Sequence, residues 1–76
     1  MNNARRKELS KAQDLLEQAQ TILESCYDEE EEYRDNMPEN LQGSEKYEMA
    51  DTACDNMQSA LDSIEEAISS IEEAQE

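Results

Sequence analysis

A run of carboxylates supplies many of the residues in this chain that could do chemistry. Residues 28–32 read DEEEE, and carboxylate oxygens are ligands for Ca²⁺ and for carboxylate-bridged metal pairs. The connector that follows does not fit an EF-hand loop, because Met37 stands in its third place and Asn40 in its glycine place. Bundle carboxylate sites also use His, which the chain lacks. We therefore interpret the run as a solvated acidic face, with Glu30 paired to Arg34, and predict no metal and no cofactor.

Two cysteines, Cys26 and Cys54, are the other residues that could do chemistry. Without His, a Cys-His pair or a triad has no base, and two Cys alone make a weak metal motif. Both fall on apolar helical stripes, so we predict buried thiols, with a disulfide or redox role as the alternative. A single glycine, Gly43, excludes the glycine-rich loops that bind nucleotide phosphates. The residue inventory predicts that the protein is not an enzyme.

Helical periodicity determines which elements position these residues. Apolar residues recur at alternating spacings of three and four, the a and d positions of a heptad lettered a to g. The first stripe is Leu9, Ala12, Leu16, Ala19, Leu23, Cys26, Glu30 and Tyr33, with Glu30 as its one polar member. The second stripe is Tyr47, Ala50, Cys54, Met57, Leu61, Ile64, Ile68 and Ile71. A strand would need alternation at two, so the pattern predicts an all-α fold with two long helices.

A short connector separates the two stripes and predicts a hairpin. Pro38 disfavours helix at Met37, and Gly43 is the one conformationally permissive position. Ser44 is a suitable N-cap for the second helix. We predict a helix over about 4–35, a connector over about 36–43 and a helix over about 44–75. These helices form an antiparallel, coiled-coil-like two-helix hairpin.

The register of the hairpin follows from pairing residues whose numbers sum to 80. This pairing stacks Leu9 on Ile71 and Tyr33 on Tyr47, and it places Cys26 and Cys54 in one layer. Shifting by a heptad in either direction would create a twenty-residue loop or require helix through Pro38.

A further stripe occupies the g positions and predicts a second apolar contact. Two helices alone need only a narrow seam, and a hairpin of this length buries little core. We therefore expect dimerisation into a four-helix bundle, with a marginal monomer as the alternative. The expected dimer-interface residues are Leu15, Ile22, Ala53, Ala60, Ala67 and Ala74.

Charge is distributed unevenly along the predicted hairpin. The chain carries 21 Asp and Glu against 6 Lys and Arg, a net charge of −15. Basic residues 5–11 should be neutralised by acids near the C-terminus, whereas the connector half carries eleven acids against Arg34 and Lys46. Aromatic and Met anchors within a charged rim are typical of a protein interface, although the same residues could merely cap the bundle. The expected partner-binding residues are Tyr27, Asp28, Glu29, Glu31, Glu32, Asp35, Met37, Glu39, Leu41, Glu45, Glu48 and Met49.

Several functional classes are disfavoured by this composition. A strongly acidic surface repels nucleic acid phosphates and anionic lipid, so we expect a basic protein partner and no direct nucleic-acid or membrane binding. No apolar run approaches the roughly 20 residues that span a bilayer. The N-terminus has basic residues without the apolar segment of a signal peptide. The expected location is the bacterial cytoplasm.

One segment carries a resemblance to known proteins. The stretch NMPENLQGSEKYE, followed by a helix that ends in SIEEAISSIEEA, resembles a group of short acidic proteins of Gram-positive bacteria and their phages. The resemblance covers most of the chain and supplies no catalytic residues. It implies a phage or prophage setting, in which small acidic proteins inhibit host defence systems or assist assembly.

Two functional hypotheses follow. In the first, the protein is a phage-encoded inhibitor whose acidic connector half occupies a basic nucleic-acid-binding groove of a host enzyme. In the second, it is a structural or assembly protein that acts through helix–helix homodimerisation along the g positions.

Overall fold

The computed structural model describes all residues, 1–76, and contains two long helices. Helix α1 spans Asn3–Asp35, and helix α2 spans Glu45–Ala74. A single turn of 3₁₀ helix, Glu39–Leu41, lies in the connector between them. These bounds differ by at most one residue from the predicted spans of 4–35 and 44–75. Both helices are rich in Glu, Gln, Ala and Leu, which favour helix.

Side-chain caps fix where each helix begins. The Asn2 side chain accepts a hydrogen bond from the Arg5 N–H at 2.8 Å at the start of α1. The Ser44 hydroxyl oxygen accepts from the Tyr47 N–H at 3.3 Å at the start of α2, which confirms the predicted N-cap. Each cap satisfies a first-turn donor that has no partner within the helix.

The two helices pack antiparallel, and the predicted all-α hairpin is confirmed. Side-chain hydrogen bonds link α1 to the second half of the chain at both ends of the rod. They run from Ser10 Oγ to Gln75 Oε1, from Gln13 Nε2 to Glu72 Oε1, from Gln75 Nε2 to Gln13 Oε1, and from Arg34 Nη1 to Asp51 Oδ1. The hairpin has Cα extents of 59 × 14 × 13 Å. Its connector end and its open end, which holds both termini, are therefore far apart.

The predicted register is wrong, because one helix is shifted along the other by five residues or more. The residue numbers sum to 85 rather than 80 in the pairs Ser10–Gln75, Gln13–Glu72 and Arg34–Asp51, and to 88 in the pair Gln13–Gln75. Cys26 is exposed whereas Cys54 is buried, so the expected shared layer does not form. Tyr33, expected to stack on Tyr47, is 52% exposed.

The cause of this shift is a rotation of α1 about its axis. Every a and d residue of α2 from Tyr47 to Ile71 is buried or half-buried, as the stripe predicts. On α1, Ala19, Cys26 and Tyr33 at d are exposed, and residues at e replace them against α2. The residues of α1 that line the seam are Leu9, Leu16, Leu23 and Glu30 at a, with Gln13, Gln20, Tyr27 and Arg34 at e. Gln13 and Arg34 gain hydrogen bonds to α2 that Ala or Cys at d could not make.

The best-packed part of the rod lies near the connector. Only Met37, Ala50 and Cys54 are buried, and all three belong to this half. Two helices have no second layer to cover their remaining faces, so most other seam residues stay half-exposed. The hairpin is consequently a small scaffold with little apolar core.

Candidate functional site

The connector end contains a shallow depression of about 590 Å³, which we call the connector depression. It forms where the chain leaves α1, turns at Pro38 and re-enters helix at Ser44. Leu41 N–H donates to Pro38 O at 2.8 Å, and Ser44 N–H donates to Leu41 O at 3.0 Å, so backbone hydrogen bonds fix the turn. The lining residues are Glu29, Glu32, Tyr33, Asn36, Met37, Pro38, Leu41, Ser44 and Lys46.

The depression combines an apolar floor with an acidic rim. Tyr33 and Leu41 are exposed, at 52% and 43%, and they lie beside the exposed carboxylates of Glu29 and Glu32. Such a surface suits a basic side chain whose alkyl stem packs on the floor while its charge meets the rim.

Two predicted anchors occupy different positions from those expected. Met37 is only 9% exposed, so it is a floor residue of the connector depression rather than a projecting anchor. Tyr27 is half-buried at the helix–helix seam. The adjacent Glu31 carboxylate raises the pKa of Tyr27, with burial as a second cause. Neither side chain projects freely from the surface, and their assignment to partner binding stays a prediction.

The remaining predicted partner-binding residues lie on the surface of the connector half. Met49, at 66% exposure, is the most exposed of its large apolar residues. Glu31 is half-buried beside Tyr27. The exposed acids of the set are Asp28, Glu29, Glu32, Asp35, Glu39, Glu45 and Glu48.

Ion pairs within the chain neutralise little of the negative charge of the connector half. Arg34 Nε contacts Asp35 Oδ1 at 3.0 Å, and Arg34 Nη1 contacts Asp51 Oδ1 at 2.8 Å. The adjacent Asp35 and Asp51 carboxylates raise the pKa of Arg34. Arg34 does not pair with Glu30, contrary to expectation, and Lys46 forms no ion pair. Nine of the eleven acids in the connector half therefore lack an ion-pair partner.

The two thiols occupy contrasting environments. Both cysteines are free; Cys26 is exposed, and Cys54 is buried beneath α1. Burial raises the pKa of the Cys54 thiol, and the Arg34 charge opposes this effect only in part. The prediction that both thiols are buried is thus wrong for Cys26. The rotation of α1 that exposes its d positions explains the difference.

The predicted dimer-interface residues form one side of the rod. Leu15 and Ile22 are 65% and 67% exposed, and the g-position alanines of α2 are exposed or half-buried. Near the connector, Tyr33 of α1 and both Met49 and Ala53 of α2 line the same groove, so these positions of the two helices share a side. The opposite side carries the polar cross-helix hydrogen bonds.

No three Cys, Asp or Glu side chains converge as a metal site would require. Neither helix has an apolar stretch of the length needed to cross a bilayer. Comparison of the chain with protein-family models, curated proteins and solved structures found no match.

Sequence reasoning missed one component of the site. The connector depression depends on Tyr33, which the heptad pattern assigned to the seam. The sequence contains a signal for this outward position of Tyr33: α1 is apolar at a, d and g together. A stripe this wide cannot all face one partner helix.

Proposed function

We propose that this protein is a non-enzymatic binding protein whose connector end docks on the basic surface of a nucleic-acid-handling protein. The observation that supports the proposal is the connector depression, where an apolar floor lies beside the carboxylates of Glu29 and Glu32, which form no ion pair within the chain. Tyr33 and Leu41 would provide the contact area, and Glu29 and Glu32 would receive Lys or Arg from the partner.

The charge of the connector half favours a partner of this class. Nine acids without ion-pair partners lie in the connector half of a narrow rod, and clustered charge of one sign attracts an oppositely charged surface over a Debye length. A groove that binds nucleic acid presents Lys and Arg for backbone phosphates, and carboxylates can replace those phosphates as counter-ions. DNA carries one charge per roughly 1.7 Å of axis, so the mimicry is local and the apolar floor must add to it.

The phage setting implied by the connector motif indicates a biological role for this interaction. An acidic protein that occupies the nucleic-acid groove of a host defence enzyme would inhibit it stoichiometrically, without catalysis of its own. In this proposal the protein acts in the bacterial cytoplasm, where such enzymes meet phage nucleic acid.

Affinity capture with charge-reversed variants tests the proposal. The bait is wild type, the connector variant Glu29→Lys/Glu32→Lys/Glu48→Lys, or the control Glu65→Lys/Glu66→Lys/Glu73→Lys, each presented to nuclease-treated bacterial lysate. Every substituted residue is exposed, and both variants change the net charge equally. We expect wild type and control to retain one basic nucleic-acid enzyme that high salt releases, and the connector variant to lose it.

A competition experiment completes the test. The retained enzyme should release DNA or RNA when wild type is added, and association with the connector variant should be slower by about tenfold or more at low salt. Equal capture by both variants would overturn electrostatic docking at the connector end. Simultaneous binding of the enzyme to nucleic acid and to this protein would overturn occupation of the groove.

A further inference from the structure

One side of the rod contains no charged residue over most of its length. It comprises the c, d and g positions of residues 12–26 in α1 and of residues 49–74 in α2, and we call it the uncharged face. All nineteen of these positions are uncharged in a chain that is 36% charged. Leu15, Ile22 and Met49 project from it, each about two-thirds exposed. Large exposed apolar side chains on a surface without charge are typical of an interaction site.

We propose that the uncharged face binds a second copy of this chain, in an antiparallel dimer whose two connector ends lie at opposite ends. This inference concerns a face different from the connector depression and does not depend on the proposed function. Its two-fold axis crosses the rods near their middle, so that α1 packs on α1 and α2 packs on α2 of the partner.

The spacing of the small residues sets the position of this axis. Ala53, Ala60, Ala67 and Ala74 are separated by sevens, and a two-fold axis midway places Ala60 against Ala67 of the partner subunit. Given the observed helix register, the same axis crosses α1 near residue 21. The axis lies between residues 21 and 22, so Leu15 comes within about 3 Å along the rod of Cys26 of the partner subunit, and a large side chain meets a small one.

The size of the contact suits a stable dimer. Residues 53–74 span about 33 Å of helix, and two helices side by side are about 20 Å wide with their side chains. The projected contact is roughly 650 Å² in each copy, or about 1,300 Å² in total, which lies within the range of specific interfaces. A second layer would also cover helices that bury only three residues alone.

Charge complementarity selects the antiparallel arrangement. Around this axis, Arg5, Arg6 and Lys7 come to the level of the partner's residues 36–38, where its acidic connector half begins its turn. These three cations form no ion pair within the chain, since Lys11 pairs only with Glu8 and the remaining ion pairs belong to Arg34. A parallel dimer would instead bring two strongly acidic connector halves together, which is electrostatically unfavourable.

Sedimentation equilibrium tests whether the dimer exists. We expect wild type to sediment at twice its 8.7 kDa chain mass at micromolar concentration. The variant Ala60→Glu/Ala67→Glu should weaken association at least a hundredfold while its circular dichroism stays helical. The control Ser59→Glu/Ser69→Glu adds the same charge at exposed positions outside the uncharged face and should remain dimeric. A monomeric wild type at about 100 μM, or a dimeric Ala60→Glu/Ala67→Glu variant, would overturn the proposal.

Disulfide cross-linking tests the arrangement independently. Leu15→Cys, with native Cys26 retained, should form a covalent dimer under mild oxidation, because these two positions meet across the axis. The control Leu15→Cys/Cys26→Ser should stay uncross-linked, since position 15 in one copy lies about 20 Å along the rod from position 15 in the other, beyond disulfide reach. A dimer that cross-links equally in both variants would overturn the antiparallel arrangement.

Discussion

Arg34 Nη1 donates to Asp51 Oδ1 at 2.8 Å, and this is the one ion pair that joins α1 to α2. The Arg34 side chain is only 19% exposed and packs at the seam beside the buried Cys54, whereas Asp51 is 50% exposed. The guanidinium thus serves both as a packing element and as the charge that holds two acidic segments together.

Substitution of Arg34 should destabilise the hairpin. We expect Arg34→Gln to lower the urea concentration at the midpoint of unfolding, because the variant loses the packing of the long side chain as well as its ion pairs. The control Lys46→Gln makes the same charge change in the same half but breaks no ion pair, so its midpoint should move less. Urea unfolding at one protein concentration measures both. Equal effects would assign the loss to net charge rather than to the ion pair.

Replacement of Gly43 should stabilise the protein. Gly43 does not adopt a positive φ, and a Cβ built there meets nothing within 4 Å. Gly43→Ala should therefore raise the free energy of unfolding by about 0.4–1 kcal/mol, because alanine restricts the unfolded chain. Thermal unfolding followed by circular dichroism measures the change. A lower melting temperature would contradict the backbone conformation described for the connector.

The two thiols should differ in reactivity. In protein diluted until it is monomeric, exposed Cys26 should react with a thiol reagent such as DTNB at once, whereas buried Cys54 should react only as the hairpin opens. In native protein we expect two phases of reaction, each with one thiol per chain. In denaturant we expect a single fast phase with both thiols. Cys26→Ser should abolish only the fast native phase. An intramolecular disulfide under mild oxidation would instead support the register in which the two cysteines share a layer.

Stability should fall in alkaline solution. The pKa values of Cys54 and Tyr27 are raised above their ordinary values of 9.0 and 10.0, so the native state holds these protons more tightly than the unfolded state. Their contribution is complete below pH 9 and is lost as pH rises through the native pKa values. Melting temperatures measured from about pH 7 to 11 should decline above about pH 9. Cys54→Ala should remove the earlier part of this decline and Tyr27→Phe the later part.

The sequence predicts the two helices and their caps because these features depend on local spacing. The heptad stripes, Pro38 and Ser44 each act within a few residues, and the structure places the helix bounds accordingly. The rotation of α1 is not local. Ala19 and Cys26 read as seam residues, but hydrogen bonds from Gln13 and Arg34 to the other helix are available only to the e positions. Which edge of a wide apolar stripe faces the partner helix is therefore decided by residues far away in sequence.

The candidate site was predictable in its charge and not in its shape. The density of carboxylates around Glu29 and Glu32 is evident from composition, and these residues are exposed. The burial of Met37 and the outward position of Tyr33 depend on the turn at Pro38 and on the rotation of α1. Neither consequence can be obtained from periodicity alone.

The dimensions of the rod determine how the protein rotates in solution. The Cα radius of gyration is 17.3 Å, whereas a compact chain of 76 residues would have about 11 Å. Backbone N–H bonds in both helices run nearly parallel to the long axis, so their orientation is changed chiefly by slow end-over-end rotation. Amide ¹⁵N relaxation should thus report a uniformly long correlation time along both helices and a shorter one over residues 36–44. The shape of the rod alone would produce that contrast, through the orientation of the N–H bonds.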